Sequence, residues 1–259
     1  MVKPYPSEYD SAMTESDPIA ENLARVNEEI AAAARAADRD PATVRLLPVS
    51  KTVPAERLRH AIAAGARRFG ENKVQEASDK AEALADVAPD WVIIGHLQSN
   101  KAKYVARFAS EVQSIDRIKV ARALDERLQA EGRSLDVLVQ VNTSGEASKF
   151  GVEPERAPEL IHALADLDTL RVRGLMTLAV FSDDHDRVRA CFRSLRELRD
   201  RLRDSAPAGI GLDELSMGMS GDYALAIAEG STEVRVGTAI FGKRDTPDSQ
   251  YWPGAAGTG

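Results

Sequence analysis

The sequence predicts an α/β fold: a single (β/α)8 TIM barrel with an extra helix before its first strand. Three observations predict it. Eight short, largely apolar runs recur along the chain, helical stripes separate them, and 259 residues suit one barrel of ordinary size. A doubly wound open sheet is the alternative arrangement of the same elements.

The extra helix comes first, with Ile19, Leu23, Val26 and Ile30 on one face after the start signal Ser16, Asp17, Pro18. It either closes the bottom of the barrel or packs on its side. The strands are the runs 44–49, 67–69, 91–94, 112–115, 135–141, 170–175, 212–215 and 233–236. Between them, Leu58 and Ile62 follow Pro54 at helical spacing, and Val120, Leu124 and Leu128 recur every four residues. Val188, Phe192, Leu195, Leu198 and Leu202 make the longest stripe, and Cys191 beside it is expected to be a small buried hydrophobe. The expected domain therefore runs over 17–243. Residues 1–16 read as a polar, disordered extension and 244–259 as a flexible tail, with no second domain.

Composition narrows the function classes. The net charge is −7 and the basic residues are scattered along helix patterns, so neither nucleic acid nor an anionic membrane is expected as a partner. One cysteine excludes an internal disulfide and any multi-cysteine metal site, which suits a reducing compartment. The first residues lack the basic flank and apolar core of a secretion signal, and no run reaches membrane-spanning length. A cytoplasmic protein is expected.

In such a barrel the chemistry gathers where strands end, because the scaffold fixes those side chains around one mouth. Lys51 stands past the first strand, before Thr52, Val53 and Pro54. A lysine held against apolar neighbours loses its proton more easily and can attack a carbonyl carbon; the plainer reading is a solvated strand-end lysine. Polar residues follow the other strands too: Glu71 and Asn72, His96, Asp116, Asn142 and Thr143, and Thr177 beside Met176. The stretch 216–222 after the seventh strand is small, hydroxyl-bearing and glycine-containing, and it opens a helix over 223–229. Gly237 and Thr238 open another short helix after the eighth. Two such turns, placed where barrels commonly hold phosphate, make a phosphate cup.

A lysine and a phosphate cup together suggest a phosphorylated carbonyl ligand bound as an imine, a description that fits pyridoxal 5'-phosphate. Arg235, on the inward face of the eighth strand, reads two ways. It is either a permanently charged hydrogen-bond donor to a pyridine nitrogen or one half of a rim ion pair with Glu229 or Glu233.

Five ordered motifs then carry a resemblance. They are Pro48-Val49-Ser50-Lys51, Phe69-Gly70-Glu71-Asn72-Lys73-Val74-Gln75-Glu76, Gly95-His96-Leu97-Gln98-Ser99-Asn100-Lys101, Leu215-Ser216-Met217-Gly218-Met219-Ser220 and Val234-Arg235-Val236-Gly237-Thr238-Ala239-Ile240-Phe241-Gly242. Over about residues 18 to 243 the chain resembles the YggS/PROSC family of pyridoxal phosphate homeostasis proteins. The resemblance implies a barrel like the amino-terminal domain of alanine racemase, with the cofactor as an internal aldimine on Lys51. It also implies Ser216, Ser220 and the amides of Gly237 and Thr238 around the phosphate. Arg235 falls near the ring nitrogen or the phosphate, and Asn72 and Met176 line the ring pocket. Gly221 and Lys73 depart from the family pattern at the rim.

His96 is expected at a helix start, Lys149 as a solvated rim lysine, and Lys101 and Lys103 as a mildly basic edge. A racemase needs acid/base groups on both faces of the substrate carbon, and neither Tyr223 nor Tyr104 has a motif-level claim to be the second. The expected function is therefore a non-enzymatic carrier that holds the cofactor and serves apo-enzymes, itself a monomer. A racemase or decarboxylase of the same fold, and an aldolase-like enzyme on a sugar phosphate, are the alternatives.

Overall fold

The computed structural model describes residues 18–146 and 149–242; both terminal extensions read from the sequence lie outside the described residues. Strands and helices alternate as expected. The first half holds α1 (Ile19–Ala36), β1 (Arg45–Pro48), α2 (Ala55–Ala63), β2 (Arg68–Glu71), α3 (Val74–Ala83), β3 (Asp90–Ile93), α4 (Ala102–Phe108) and β4 (Glu111–Ile115). The second holds α5 (Ile118–Glu131), β5 (Leu135–Gln140), α6 (Ala157–Leu164), β6 (Leu170–Met176), α7 (His185–Arg203), β7 (Glu214–Met219), α8 (Tyr223–Ala228), β8 (Glu233–Val236) and α9 (Thr238–Phe241).

All eight strands are parallel, in the spatial order β1-β8-β7-β6-β5-β4-β3-β2. The ring closes where Val49 bridges Gly70 and the Ser50 N–H donates to the Gly70 carbonyl at 3.0 Å. That closure makes the molecule a (β/α)8 barrel and excludes the open sheet.

Alternate strand residues face the helices and the barrel interior. Outward-facing Val112, Val137, Val139, Val172, Leu215 and Met217 pack in one core with the predicted stripes of α5 and α7, Cys191 included. A second core joins Ile19, Leu23, Val26 and Ile30 of α1 to Val234, Val236, Ile240 and Phe241. The extra helix thus packs on the side of the barrel, where Asn22 Nδ2 also donates to the Ile240 carbonyl at 3.1 Å.

The interior is divided. Leu47, Val49, Val92 and Ile94 form an apolar cluster on the β1 and β3 side. On the neighbouring strands β2, β4 and β8, Arg68, Glu111, Gln113 and Glu233 are charged or polar, and ion pairs gather at the amino-terminal end of the barrel. Arg68 pairs with Glu111 and, at 2.6 Å, with Glu233; Arg45 meets Glu214 at 2.8 Å; Arg171 and Arg173 meet Asp136 at 2.6 and 3.2 Å. Burial, reinforced by the neighbouring Glu233, pushes the Glu111 carboxyl up to about 7, with Arg68 pulling the other way.

One boundary differs in a way that matters for the site. The sequence ends the seventh strand at 215, but β7 runs on through Met219. The extension carries a register shift against β8 between Ser216 and Met219, with Gly218 at φ +97°. A Cβ at Gly218 would lie 2.6 Å from the Ala226 Cβ, so the bulge and its tight approach to α8 need glycine there. Small residues that look like a loop are here a bulged strand.

Replacing Arg68 by Met would leave buried Glu111 without its arginine and Glu233 with only the more distant Arg45, at 3.4 Å, and should destabilise the fold by about 3–5 kcal/mol in urea titration. The pH dependence follows from Glu111. Its folded pKa, about 7, lies above its ordinary 4.5, so the folded state binds the extra proton between those values and stability falls as pH rises across that window. Urea midpoints measured over this range should show a shallower decline in Glu111→Gln.

Candidate functional site

The carboxyl ends of the strands converge on one mouth, and Lys51 lies at its β1 corner. The Val53 N–H donates to the Ser50 carbonyl at 2.9 Å, closing a tight turn with Lys51 and Thr52 at its centre. Thr52 has φ +66°, a left-handed conformation that a β-branched residue adopts at a cost. Lys51 is only 4% exposed, which excludes the solvated strand-end lysine.

Arg235 is 3% exposed and points into the barrel, not to the rim. Its guanidinium donates to Ser216 Oγ at 2.6 Å and to the Thr177 carbonyl at 2.8 Å. Glu229 is held instead by Arg193 and Arg196, at 3.1 and 2.9 Å, and Glu233 by Arg68, so the rim ion pair is absent. Ser216 Oγ donates to Gln113 Oε1 at 2.7 Å, and Gln113 Nε2 donates to Glu111 at 2.7 Å and to Glu233. A continuous hydrogen-bonded column therefore runs from the charged bottom to the floor of the mouth. Burial lowers the Arg235 pKa to about 10, which still leaves it cationic at neutral pH.

Ser216 therefore belongs to that column and not to the turn in which the sequence places it; the bulge at Gly218 carries it inside. Ser220 remains in the turn, exposed, beside Asp222, which precedes α8. Gly237 precedes α9, and Thr238, exposed, begins it. Because β7 and β8 are neighbours, the two turns lie side by side. The first amides of each helix have no partner within the helix and point outward. Gly221, between Ser220 and Asp222, is exposed, and a Cβ there would meet nothing within 4 Å. Asp222 is turned away from it, accepting from the Met219 amide at 2.5 Å, and burial raises its pKa.

Asn72 closes the β2 end of the mouth. Its Oδ1 is buried without a hydrogen-bond partner among the described residues, an acceptor left open. Its backbone is pinned against β3, where a Cβ at Gly95 would come within 2.1 Å of the Asn72 carbonyl. Met176, fully buried at the end of β6, lies in register with Ser216. A buried cation, an open amide acceptor, a buried lysine and a small-residue anion cup suit a planar, phosphorylated, nitrogen-containing aldehyde.

Two rim residues differ from expectation. His96 starts no helix: its ring stacks on Phe150 at 3.9 Å, with Asp116 and Arg117 each 3.3 Å from its two nitrogens. Burial lowers its pKa. Lys149 is tied down, donating to the Ala179 carbonyl at 2.8 Å and pairing with Glu146 at 2.7 Å. Lys101 and Lys103 lie over the Tyr104 ring. The sequence reading missed Gln113 and Glu111. The signal was there, since residues two apart in a strand share a face, and Glu111 and Gln113 are two apart with Val112 between them. Among the described residues no group of three or more His, Cys, Asp or Glu is arranged to hold a metal ion. No helix among them is long and apolar enough to cross a membrane.

The chain and its fold have counterparts among known proteins. Residues 21–245 match the family model of the alanine racemase N-terminal domain. A pyridoxal phosphate homeostasis protein of Pseudomonas aeruginosa is 50% identical over 227 residues, covering 88% of this chain and 96% of that one; its Escherichia coli counterpart is 44% identical over 230. PipY of Synechococcus elongatus, solved with pyridoxal phosphate bound, superposes with a TM-score of 0.76 at 37% identity, over 86% of this chain and all of PipY. Alanine racemase of Clostridium difficile, 15% identical with a TM-score of 0.65, shares the fold over 57% of its own length. The chain belongs to the alanine racemase N-terminal domain family and, within it, to the pyridoxal phosphate homeostasis proteins.

Proposed function

We propose that this protein serves pyridoxal phosphate homeostasis by holding pyridoxal 5'-phosphate through Lys51 without turning over amino acids. The observation that carries the reading is the buried Lys51 at the β1 corner of the mouth, with Arg235 and the paired turns on the adjoining β8 and β7. Bound there, the cofactor supplies an aldehyde that condenses with an amine, and Lys51 is the amine. Ser220, with the amides at Gly237 and Thr238, would take the phosphate. Arg235 and Ser216 form a polar floor, and Asn72 and Met176 wall the ring. An arginine keeps its own proton, so a ring nitrogen beside it would stay unprotonated and the cofactor would be a weaker electron sink.

The candidates for a second acid or base are engaged elsewhere. The Tyr223 hydroxyl donates to Glu29 of α1 at 2.8 Å, on the side of the barrel; burial, then the Glu29 carboxylate, push its pKa up to about 12. The His96 ring is fixed between Phe150, Asp116 and Arg117. Both arrangements favour a carrier that hands cofactor to apo-enzymes over a racemase or decarboxylase.

The wild-type protein loaded with pyridoxal phosphate should show a visible absorption band that borohydride abolishes, leaving a pyridoxyl group on the peptide containing Lys51. In Lys51→Ala the band and the adduct should be lost. The same holoprotein should activate an apo-enzyme, and free amino acids should exchange their α-hydrogen with deuterium no faster than with free cofactor. Exchange well above that background would refute the carrier reading.

A further inference from the structure

The motif that follows β2 contains two glutamates, Glu71 and Glu76, that the site above does not use. Both converge on Lys80, a buried lysine two turns along α3. Lys80 Nζ has three hydrogens to donate. They go to the Glu71 carboxylate at 2.6 Å, the Glu76 carboxylate at 2.7 Å and the Ser50 carbonyl at 2.7 Å. Two further hydrogen bonds tie this cluster to the turn that carries Lys51. Ser50 Oγ donates to Glu71 at 2.6 Å, and the Thr52 amide donates to Glu76 at 2.5 Å. The residues on both sides of Lys51 are thereby fixed.

We infer that Lys80, with Glu71 and Glu76, forms a clamp behind the mouth whose role is positioning: it holds the turn from Ser50 to Val53 in the conformation that presents the Lys51 amine. Two features support this. The turn needs a holder, because Thr52 occupies a left-handed conformation that threonine does not favour. Lys80 is buried, and its N–H groups go to the Ser50 carbonyl of that turn and to the two carboxylates that accept from Ser50 Oγ and the Thr52 amide.

This inference rests on the proposed attachment at Lys51, and the test separates the two. The rate at which Lys51 acquires a borohydride-stable pyridoxyl group is measured by peptide mapping in wild type, Lys80→Met, Glu76→Leu and Glu76→Gln. Binding of pyridoxine 5'-phosphate, which has no aldehyde, is measured in the same proteins, together with amide hydrogen exchange of the apo-protein at Thr52. Glu76 is partly exposed on the first turn of α3, so Glu76→Leu should fold even if Lys80→Met does not.

The clamp predicts that Glu76→Leu labels Lys51 at least about tenfold more slowly, the size of effect expected when a reacting group is misplaced. Exchange at Thr52 should quicken, while pyridoxine 5'-phosphate affinity stays within about twofold. Glu76→Gln, whose amide oxygen still accepts from Thr52, should recover much of the labelling rate. Labelling at the wild-type rate in Glu76→Leu would overturn the clamp alone. A wild-type protein that is never labelled at Lys51 would overturn the attachment and the clamp together.

Discussion

A parallel barrel must fill its own interior, and the way this one does so governs everything at its mouth. Part of the interior is apolar and needs only shape. Another part is a chain of donors and acceptors, starting at Arg68 and ending on the Thr177 carbonyl, in which Ser216 accepts from Arg235 and donates to Gln113, and Gln113 donates in turn to Glu111 and Glu233. Buried polar groups are stable on such terms, since one missing partner leaves a desolvated group at full cost. The mouth's cation is therefore part of the fold. Arg235 does not hang over the site as a flexible rim arginine would; it is the top of a column built from the bottom.

The helices and the closed ring were legible because they follow periods. Val188, Phe192, Leu195, Leu198 and Leu202 lie on one face, and all are buried as their spacing requires. Lys51 was legible for a related reason, as a charge that interrupts an apolar run at a strand end. Ser216 was not. Its neighbours Met217, Gly218 and Met219 have the composition of a loop, and only the bulge and the contact of Gly218 with α8 make them strand. Such a bulge depends on a partner strand and a following helix, neither of which is local in sequence.

The clamp around Lys80 shows the same limit from the other direction. Its members come from β1, β2 and α3, and a lysine among glutamates on a helix reads as a solvated surface pattern. Burial is what changes its meaning. At Arg235 the sequence left two readings open, a ligand contact and a rim ion pair, and only the positions of Glu229 and Glu233 separate them. Type and position were readable from sequence; which carboxylate faces which arginine was not.

The ion ring at the amino-terminal end has a consequence for traffic. Arg45, Arg68, Arg171 and Arg173 each meet an acid there, and the hydrogen-bonded column above Arg68 runs up to Arg235. A ligand seated over that column at the strand carboxyl ends would enter and leave by the same mouth.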